Sequence, residues 1–348
     1  MKKHVLVFIG FVCSFFTYAQ HENLDQLLHS FEVEQKAMGT VSIFQNGNEV
    51  YNKSFGKANL VQDKVANANT RYKIGSISKV FTASVVLKLI EEQKLELNTL
   101  LSKYFPKVPN SDKITIKYLL SHQSGLFNIT DEEGFDTWIR KPRNRKEMIG
   151  KIIKGGSVFE PGSQTAYSNS NFILLSYIIE DIEKKSFSKV LNERVFKPLK
   201  LKRTTFGAKL KPKKNEAYSY FLKENIWTPI YQETYLKSTM GAGGITSTAQ
   251  EVNTFYNALF NGKIISNEIL NEMTTPIRND WGLGISVINF NGITIYGHDG
   301  GIDGYQSVAI YLPAQKVSIA FTFNAATVSA TQTAIQILQT YLSSSAKK

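Results

Sequence analysis

Apolar and polar residues alternate through GTVSIFQNGNEVYNKSFG, residues 39 to 56, on both sides of an Asn46-Gly47-Asn48 turn signal. Period-two alternation about such a turn predicts a β-hairpin. The texture returns toward the other end of the chain: GLGISVINF from Gly282, a turn at Asn291-Gly292, ITIYGHDGG from Ile293, then GYQSVAIYLP and QKVSIAFTFN joined at Pro313 and Ala314. These segments predict strands of one antiparallel sheet. Helical spacing of apolar residues marks Asn23 to Val33 and Ala330 to Leu342 as helices packed on that sheet. From about Leu95 to Met240 helical segments and long loops dominate. The predicted class is α+β, an antiparallel sheet built from both chain ends and flanked by helices, with an inserted, mainly helical region. Residues 20–94 and 241–348 are assigned to the sheet region and 95–240 to the helical one, together one domain.

The first twenty residues, MKKHVLVFIGFVCSFFTYAQ, break this pattern. Two lysines, an apolar run and the small-residue site Thr17-Tyr18-Ala19 predict a secretory signal peptide over residues 1–19. A membrane anchor or a buried N-terminal helix competes with that reading. No later apolar run approaches the roughly 18 residues a span requires, so no transmembrane segment is expected after signal removal. The expected location is periplasmic or extracellular. The only cysteine, Cys13, lies inside the leader, so the mature chain must be held by its core without disulfides.

At 348 residues, 42% hydrophobic and 20% charged, the chain is an ordinary globular protein with room for a large core. Its formal charge of +12 admits nucleic acid as a partner, but the lysines are spread along the chain, with local crowding only from Lys197 to Lys214, and no nucleic-acid motif accompanies them. A solvated basic surface, or one that meets anionic envelope polymers, accounts for the charge.

Candidate chemistry starts at YKIGSISKVFTA, residues 72 to 83, where Ser76 and Lys79 stand three apart among apolar and small residues. Arg71 to Ile74 is strand-like, Gly75 turns the chain, and Ser76 opens a helix expected to reach about Gln93. Residues i and i+3 share a helix face, which brings the lysine amine to the serine hydroxyl. Serine needs a base to become a nucleophile, and a lysine whose pKa is lowered by burial can be that base. The free amides of the helix start favour an oxyanion there. S-x-x-K alone is weak, since it recurs at Ser54/Lys57, Ser186/Lys189, Ser344/Lys347 and Ser345/Lys348. Those copies lie in a polar hairpin strand, a charged helix and the tail. Ser76 differs by its strand-turn-helix context and its apolar company of Ile77, Val80 and Phe81.

Two further segments supply the remaining parts of such a site. PGSQTAYSNSNF, residues 161 to 172, contains Tyr167-Ser168-Asn169, and GHDGGIDGY, residues 297 to 305, places His298 and a glycine pair at a strand end. Tyr167 is suited to passing protons between the hydroxyl, Lys79 and a leaving group, and Asn169 to holding Lys79 and a substrate amide. The glycines allow a substrate backbone to approach closely.

SISK, YSN and HDG together resemble, in order and spacing, the three motifs of the serine penicillin-recognising enzymes: class C β-lactamases, DD-carboxypeptidases, and related esterases and D-peptidases. LLSHQSGL (119 to 126), NERVFKPLKLKRTTF (192 to 206) and GAGGITSTAQEV (241 to 252) are similar to segments of the same family, so the resemblance spans nearly the whole mature chain. It implies a β-lactamase/transpeptidase-like catalytic domain and an acyl-enzyme on Ser76. Lys79 and Tyr167 would manage the proton, Asn169 would hold Lys79 and the substrate, and the amides of Ser76 and Gly301 would form the oxyanion hole beside Gly300. It implies neither a metal nor an organic cofactor, and a small-molecule or peptide acyl substrate, peptidoglycan-derived among the options.

One departure bears on substrate. Where many members carry Lys-Thr-Gly, this chain has His298-Asp299-Gly300. A histidine is only fractionally charged at neutral pH, and Asp299 would repel a substrate carboxylate if it faced the pocket. H-x-G is similar to the peptidase and esterase branches, so the expected function is a DD-carboxypeptidase-like peptidase or an esterase acting on D-configured or envelope-derived acyl compounds. A class C-like β-lactamase and a non-catalytic penicillin- or cell-wall-binding protein are the alternatives. No G-x-S-x-G elbow supports an α/β-hydrolase, no histidine pair at ligand spacing supports a zinc hydrolase, and Tyr-Ser-Asn in place of Ser-Asp-Asn disfavours a class A enzyme. Phe127, Asn128 and Tyr305 are expected to line the pocket, with Trp227 and Trp281 as weaker candidates.

Overall fold

The computed structural model describes residues 22–209 and 215–345. The predicted leader, Cys13, and part of the lysine-crowded stretch lie outside the described residues. Six antiparallel strands form the main sheet: β1 (Ala37–Gln45), β2 (Asn48–Phe55), β3 (Ser286–Phe290), β4 (Ile293–Ile302), β5 (Tyr305–Leu312) and β6 (Val317–Ala326), in the order β3-β4-β5-β6-β1-β2. Each end of the chain thus supplies part of one sheet, and β1 from one end pairs with β6 from the other.

Short turns fix the registers. Asn46-Gly47, Asn291-Gly292 and Asp303-Gly304 each place two successive residues in the left-handed region, at φ values of 52° and 80°, 49° and 81°, and 48° and 82°. That conformation matches the twist of a two-residue hairpin, and Asn, Asp and Gly adopt it at least cost. Asp303-Gly304 is a turn signal as clear as the other two.

The sheet is covered on both faces. Val317, Ile319, Phe321 and Phe323 of β6 share a core with Leu24, Leu28, Ile337 and Tyr341 of the two terminal helices, over 22–33 and Ala330–Ser345. On the opposite face β6 carries Ser318, Ala320 and Thr322, small enough for a helix to come close. There Asn257 donates to Ser318 Oγ at 2.6 Å and Asn253 to the Ser42 carbonyl at 2.7 Å. The larger second core is built on helices α1 (Ser78–Glu91), α2 (Asn169–Glu183) and α3 (Ala249–Phe260), where Phe81 stacks on Phe255 at 3.6 Å.

Three local expectations are corrected. The residues before Ser76 form a two-residue strand, Tyr72–Lys73, which pairs with Ile245–Ser247 in a separate small sheet. Ser76 sits in a 3₁₀ turn, Gly75–Ile77, and the α-helix starts at Ser78 and stops at Glu91, because Gly75 at φ 48° enters the turn too sharply for α geometry. Within the mainly helical stretch, Tyr220–Lys223 and Ile226–Pro229 form a hairpin about Glu224 and Asn225, both left-handed.

Candidate active site

The 3₁₀ turn leaves Ser76 half-buried at the base of α1, and its Oγ receives two contacts. Lys79 Nζ lies 3.0 Å away and the Tyr167 hydroxyl donates to it at 2.7 Å. Lys79 has no exposure. Its amine also reaches Asn169 Oδ1 and the Ala242 carbonyl, both at 2.7 Å. Those two oxygens only accept, so a neutral amine spends its two hydrogens on them and turns its lone pair to Ser76. Burial drives the Lys79 pKa well below its ordinary value, and the nearest opposing influence is the Asp299 carboxylate. Burial pushes the Tyr167 phenol up, so Tyr167 stays a proton donor at neutral pH.

The groups that hold these side chains come from distant parts of the chain. Asn169 opens α2, and its Nδ2 donates to Asn128 Oδ1 at 3.2 Å and to Thr130 at 3.1 Å. Asn128 Oδ1 also accepts the Asn169 backbone N–H at 2.9 Å. Tyr167 is carried by His122, whose ring centroid lies 4.5 Å from the tyrosine ring. His122 accepts Ser168 N–H at Nδ1 (3.1 Å) and Ala166 N–H at its carbonyl (3.0 Å), so it clasps the chain on both sides of Tyr167. Burial holds its pKa well below the usual histidine range, which keeps a second cation away from Lys79.

β4 closes the other side. Its register with β3 ends at Gly297, so His298 to Ile302 have no partner strand on that edge. Ile302 and Tyr305 flank the two-residue turn and form the hydrogen-bonded pair; by alternation Gly301, opposite Gln306, points its N–H out of the free edge. That edge lies against the Gly75–Ile77 turn. A Cβ on Gly75 would stand 2.7 Å from Gly301 N, and one on Gly300 would stand 2.1 Å from the Ile74 carbonyl and 3.0 Å from Ser76 N. Glycine at 75 and 300 is what lets this edge and the Ser76 turn pack so closely, with the Ser76 and Gly301 amides near one another.

His298 is buried, with its ring 6.1 Å from Tyr167 and 5.7 Å from Trp281. Its Nδ1 lies 2.6 Å from the Asp299 carbonyl, which only accepts, so Nδ1 carries the proton. Burial, with Lys79 nearby, lowers the His298 pKa to about 4. Asp299, on the opposite side of the strand, is 75% exposed at the rim.

Tyr305 does not line this space. It is buried among Tyr72, Ala58, Ala66 and Ala217, with its hydroxyl on the Ala217 carbonyl at 2.6 Å, because its strand position faces the core. Phe127 lays its ring on Gly155 and lends its carbonyl to Ser170 at 2.6 Å, so its contacts secure the start of α2. Trp227 packs against the hairpin cluster of Met38, Tyr220 and Ala325. Trp281 does join the site, edge-on to His122 at 4.7 Å. The sequence reading missed the Ala242 carbonyl, which no side-chain motif announces, and a buried ion cluster around Lys73. A lysine inside the apolar YKIGS stretch was a signal of the same kind as Lys79.

Comparisons with known proteins bear on the family and the fold. The family model described as Beta-lactamase matches residues 24–342. Protein flp of Staphylococcus aureus (strain MW2) is 28% identical over 303 residues, covering 82% of this chain and 59% of that protein. Penicillin-binding protein 4* of Bacillus subtilis (strain 168) is 26% identical, covering 86% of this chain and 71% of that one. The chain thus spans about three-fifths of the length of the first of these relatives. Among solved structures, the D-amino acid amidase from Ochrobactrum anthropi SV3 has a TM-score of 0.82 at 21% identity, covering 95% of this chain and 99% of that chain. The D-stereospecific amidohydrolase from Streptomyces sp. has a TM-score of 0.76 at 26% identity, covering 92% and 97%. With the motifs, the fold and the match over residues 24–342 in agreement, the chain belongs to the β-lactamase family of serine hydrolases.

Proposed function

We propose that this chain cleaves amide or ester bonds of D-configured or envelope-derived acyl compounds through an acyl-enzyme on Ser76, and that it does so outside the cytoplasm. The observation that carries the reading is the environment of Lys79: a fully buried amine with two carbonyl acceptors and one serine hydroxyl as its hydrogen-bond partners. Such an amine is a base at neutral pH. As Ser76 Oγ adds to the substrate carbonyl carbon, Lys79 takes its proton and the carbonyl oxygen gains negative charge between the Ser76 and Gly301 amides. The C–N or C–O bond then breaks, and the leaving nitrogen or oxygen takes a proton from Tyr167, 2.7 Å from the same serine oxygen and replenished from Lys79. Water then adds to the acyl carbon with Lys79, neutral again after replenishing Tyr167, as base; the Ser76 Oγ–acyl bond breaks, Oγ recovers the proton from Lys79, and the free acid leaves.

Substrate preference follows from charge. A substrate carboxylate near His298 meets a neutral imidazole and an exposed Asp299, not a permanent cation. That favours uncharged amides and esters over substrates anchored by a carboxylate, and the names of the D-amino acid amidase and the D-stereospecific amidohydrolase are in keeping with it. A class C-like β-lactamase or a carboxypeptidase remains the second reading, favoured by the penicillin-binding protein among the relatives. Residues 20–94, 95–240 and 241–348 act in this reading as one catalytic domain, since Lys79, Tyr167 and Gly301 come one from each. Export rests on the leader-like residues 1–19.

Intact mass spectrometry of the mature protein, with a fluorescent penicillin and a fluorophosphonate offered separately to wild type and Ser76→Ala, tests the reading. A Ser76-dependent adduct is expected with the fluorophosphonate. Efficient labelling by the penicillin as well moves the assignment to the carboxypeptidase or β-lactamase branch. A folded wild type that neither probe labels sinks the hydrolase and leaves a binding protein.

A further inference from the structure

Lys73, three residues before Ser76, is 2% exposed. Its Nζ lies 2.7 Å from Asp303 and 3.0 Å from Glu233, above the ring of Tyr305 at 5.6 Å. Asp303 accepts in addition the Thr234 backbone N–H at 3.1 Å and its hydroxyl at 2.7 Å. None of these residues belongs to the three catalytic motifs. A buried ion cluster contributes little net stability relative to well-packed apolar groups, so its presence here calls for another account.

The account lies in what the cluster joins. Lys73 belongs to the short strand that ends at the Ser76 turn. Asp303 is the first turn residue after Gly301 and Ile302, held left-handed at φ 48°. Glu233 and Thr234 lead into Leu236–Ala242, whose last carbonyl holds Lys79. One ammonium therefore ties together three segments that deliver the nucleophile, the Gly301 amide and the partner of the base. A second fastener stands beside Gly300, where Ser307 Oγ donates to the Ile74 carbonyl at 2.8 Å. Between the two fasteners lies the close contact of Gly75 with the Gly300–Gly301 peptide. Strand geometry puts Asp303 only about 7 Å along the chain from Gly301, so a displaced turn displaces that amide.

We infer that Lys73, Asp303 and Glu233 form a clamp that sets the separation of the Ser76 and Gly301 amides, which makes them positioning residues for the oxyanion hole. The clamp also forms part of the wall of a pocket of about 370 Å³ lined by Lys73, Glu233, Thr234 and Tyr235. The inference rests on the acyl-enzyme reading above and deepens it.

Asp303→Asn is the discriminating variant. Asparagine tolerates the left-handed turn and still accepts from Thr234, but it carries no charge for Lys73. Oxyanion contacts strengthen in the transition state, so with a p-nitrophenyl ester kcat should fall about 10-fold while KM stays within about twofold. Glu233→Gln should lower kcat about threefold by the same route, and it carries the test if Asp303→Asn does not fold. Arg194→Met, which removes the pairings to Glu92 and Glu183 elsewhere, is the control: it should lower Tm and leave kcat at 25 °C unchanged. Wild-type kcat in folded Asp303→Asn, or in folded Glu233→Gln where that variant carries the test, makes the cluster merely structural and overturns the clamp. An inactive wild type, by contrast, overturns the hydrolase reading itself, so the two failures are distinguishable.

Discussion

Two lysines on either side of one serine have both lost contact with water, and they have met different company. Lys73 faces two carboxylates; Lys79 faces two carbonyl oxygens and a hydroxyl. Burial is nearly the same for both, at 2% and 0% exposure. Partners therefore decide what a buried lysine does. A carboxylate stabilises the ammonium and turns the side chain into a fastener, whereas neutral acceptors leave the desolvation cost uncompensated and the proton is given up. In the proposed reading the chain uses one residue type, six positions apart, as a clamp and as a base.

Exchanging either lysine for an apolar residue breaks this comparison in opposite directions. Lys79→Ala should cut the rate of Ser76 acylation by about 10⁴-fold, at the upper end of what a general base supplies, as read by the burst with a p-nitrophenyl ester. Its stability signature differs from an ordinary ion-pair loss. With its folded-state pKa depressed, Lys79 binds fewer protons folded than unfolded, so wild-type stability rises with pH toward 10.5. Lys79→Met should flatten that rise between pH 7 and 9 in urea denaturation. Lys73→Met does the reverse: it strands Asp303 and Glu233 and should cost about 3–5 kcal/mol. Adding Asp303→Asn and Glu233→Gln to it should recover most of that loss. A lone Lys73→Met as stable as wild type would show that the two carboxylates do not need their cation.

The contrast also bears on how much could be read without the fold. Ser76, Lys79, Tyr167, Asn169 and His298 are legible because each sits in a short motif whose chemistry is local. The hairpins at Asn46-Gly47 and Asn291-Gly292 are legible because two residues suffice to specify them. Lys73 carries a local signal, but its partners do not, because Asp303 lies 230 residues away and Glu233 belongs to a loop of no fixed pattern. The Ala242 carbonyl is invisible for a related reason, since backbone groups carry no sequence label. Tyr305 misled by its closeness to the His298 motif along the chain; the Asp303-Gly304 turn reverses the strand and sends its ring into the core.

Asp299 sharpens the comparison from the other side, since it is the one carboxylate that opposes the lowered pKa of Lys79. Asp299→Asn removes that opposition, so the Lys79 pKa should fall further and the acidic limb of the acylation profile should move to lower pH. Asp299 is 75% exposed and screened, so the move should be under about one pH unit and should shrink as salt is raised. The same variant should raise kcat/KM a few-fold for substrates that carry a carboxylate near the scissile bond. A limb that moves to higher pH would mean that Asp299 acts on another group.

The smallest expected effect belongs to Tyr305, which underlies Lys73 and opens β5, the strand after the one that carries His298. Its hydroxyl donates to the Ala217 carbonyl in a space closed to water. Tyr305→Phe keeps the ring under the ammonium and deletes one neutral hydrogen bond, which should cost about 1–2 kcal/mol because the carbonyl is left without its donor. KM and the ratio of rates between aromatic and aliphatic D-amino acid amides should not change, since the ring touches no substrate. A shift in that ratio without loss of stability would restore Tyr305 to the pocket wall and move the boundary between clamp and binding site one residue layer inward.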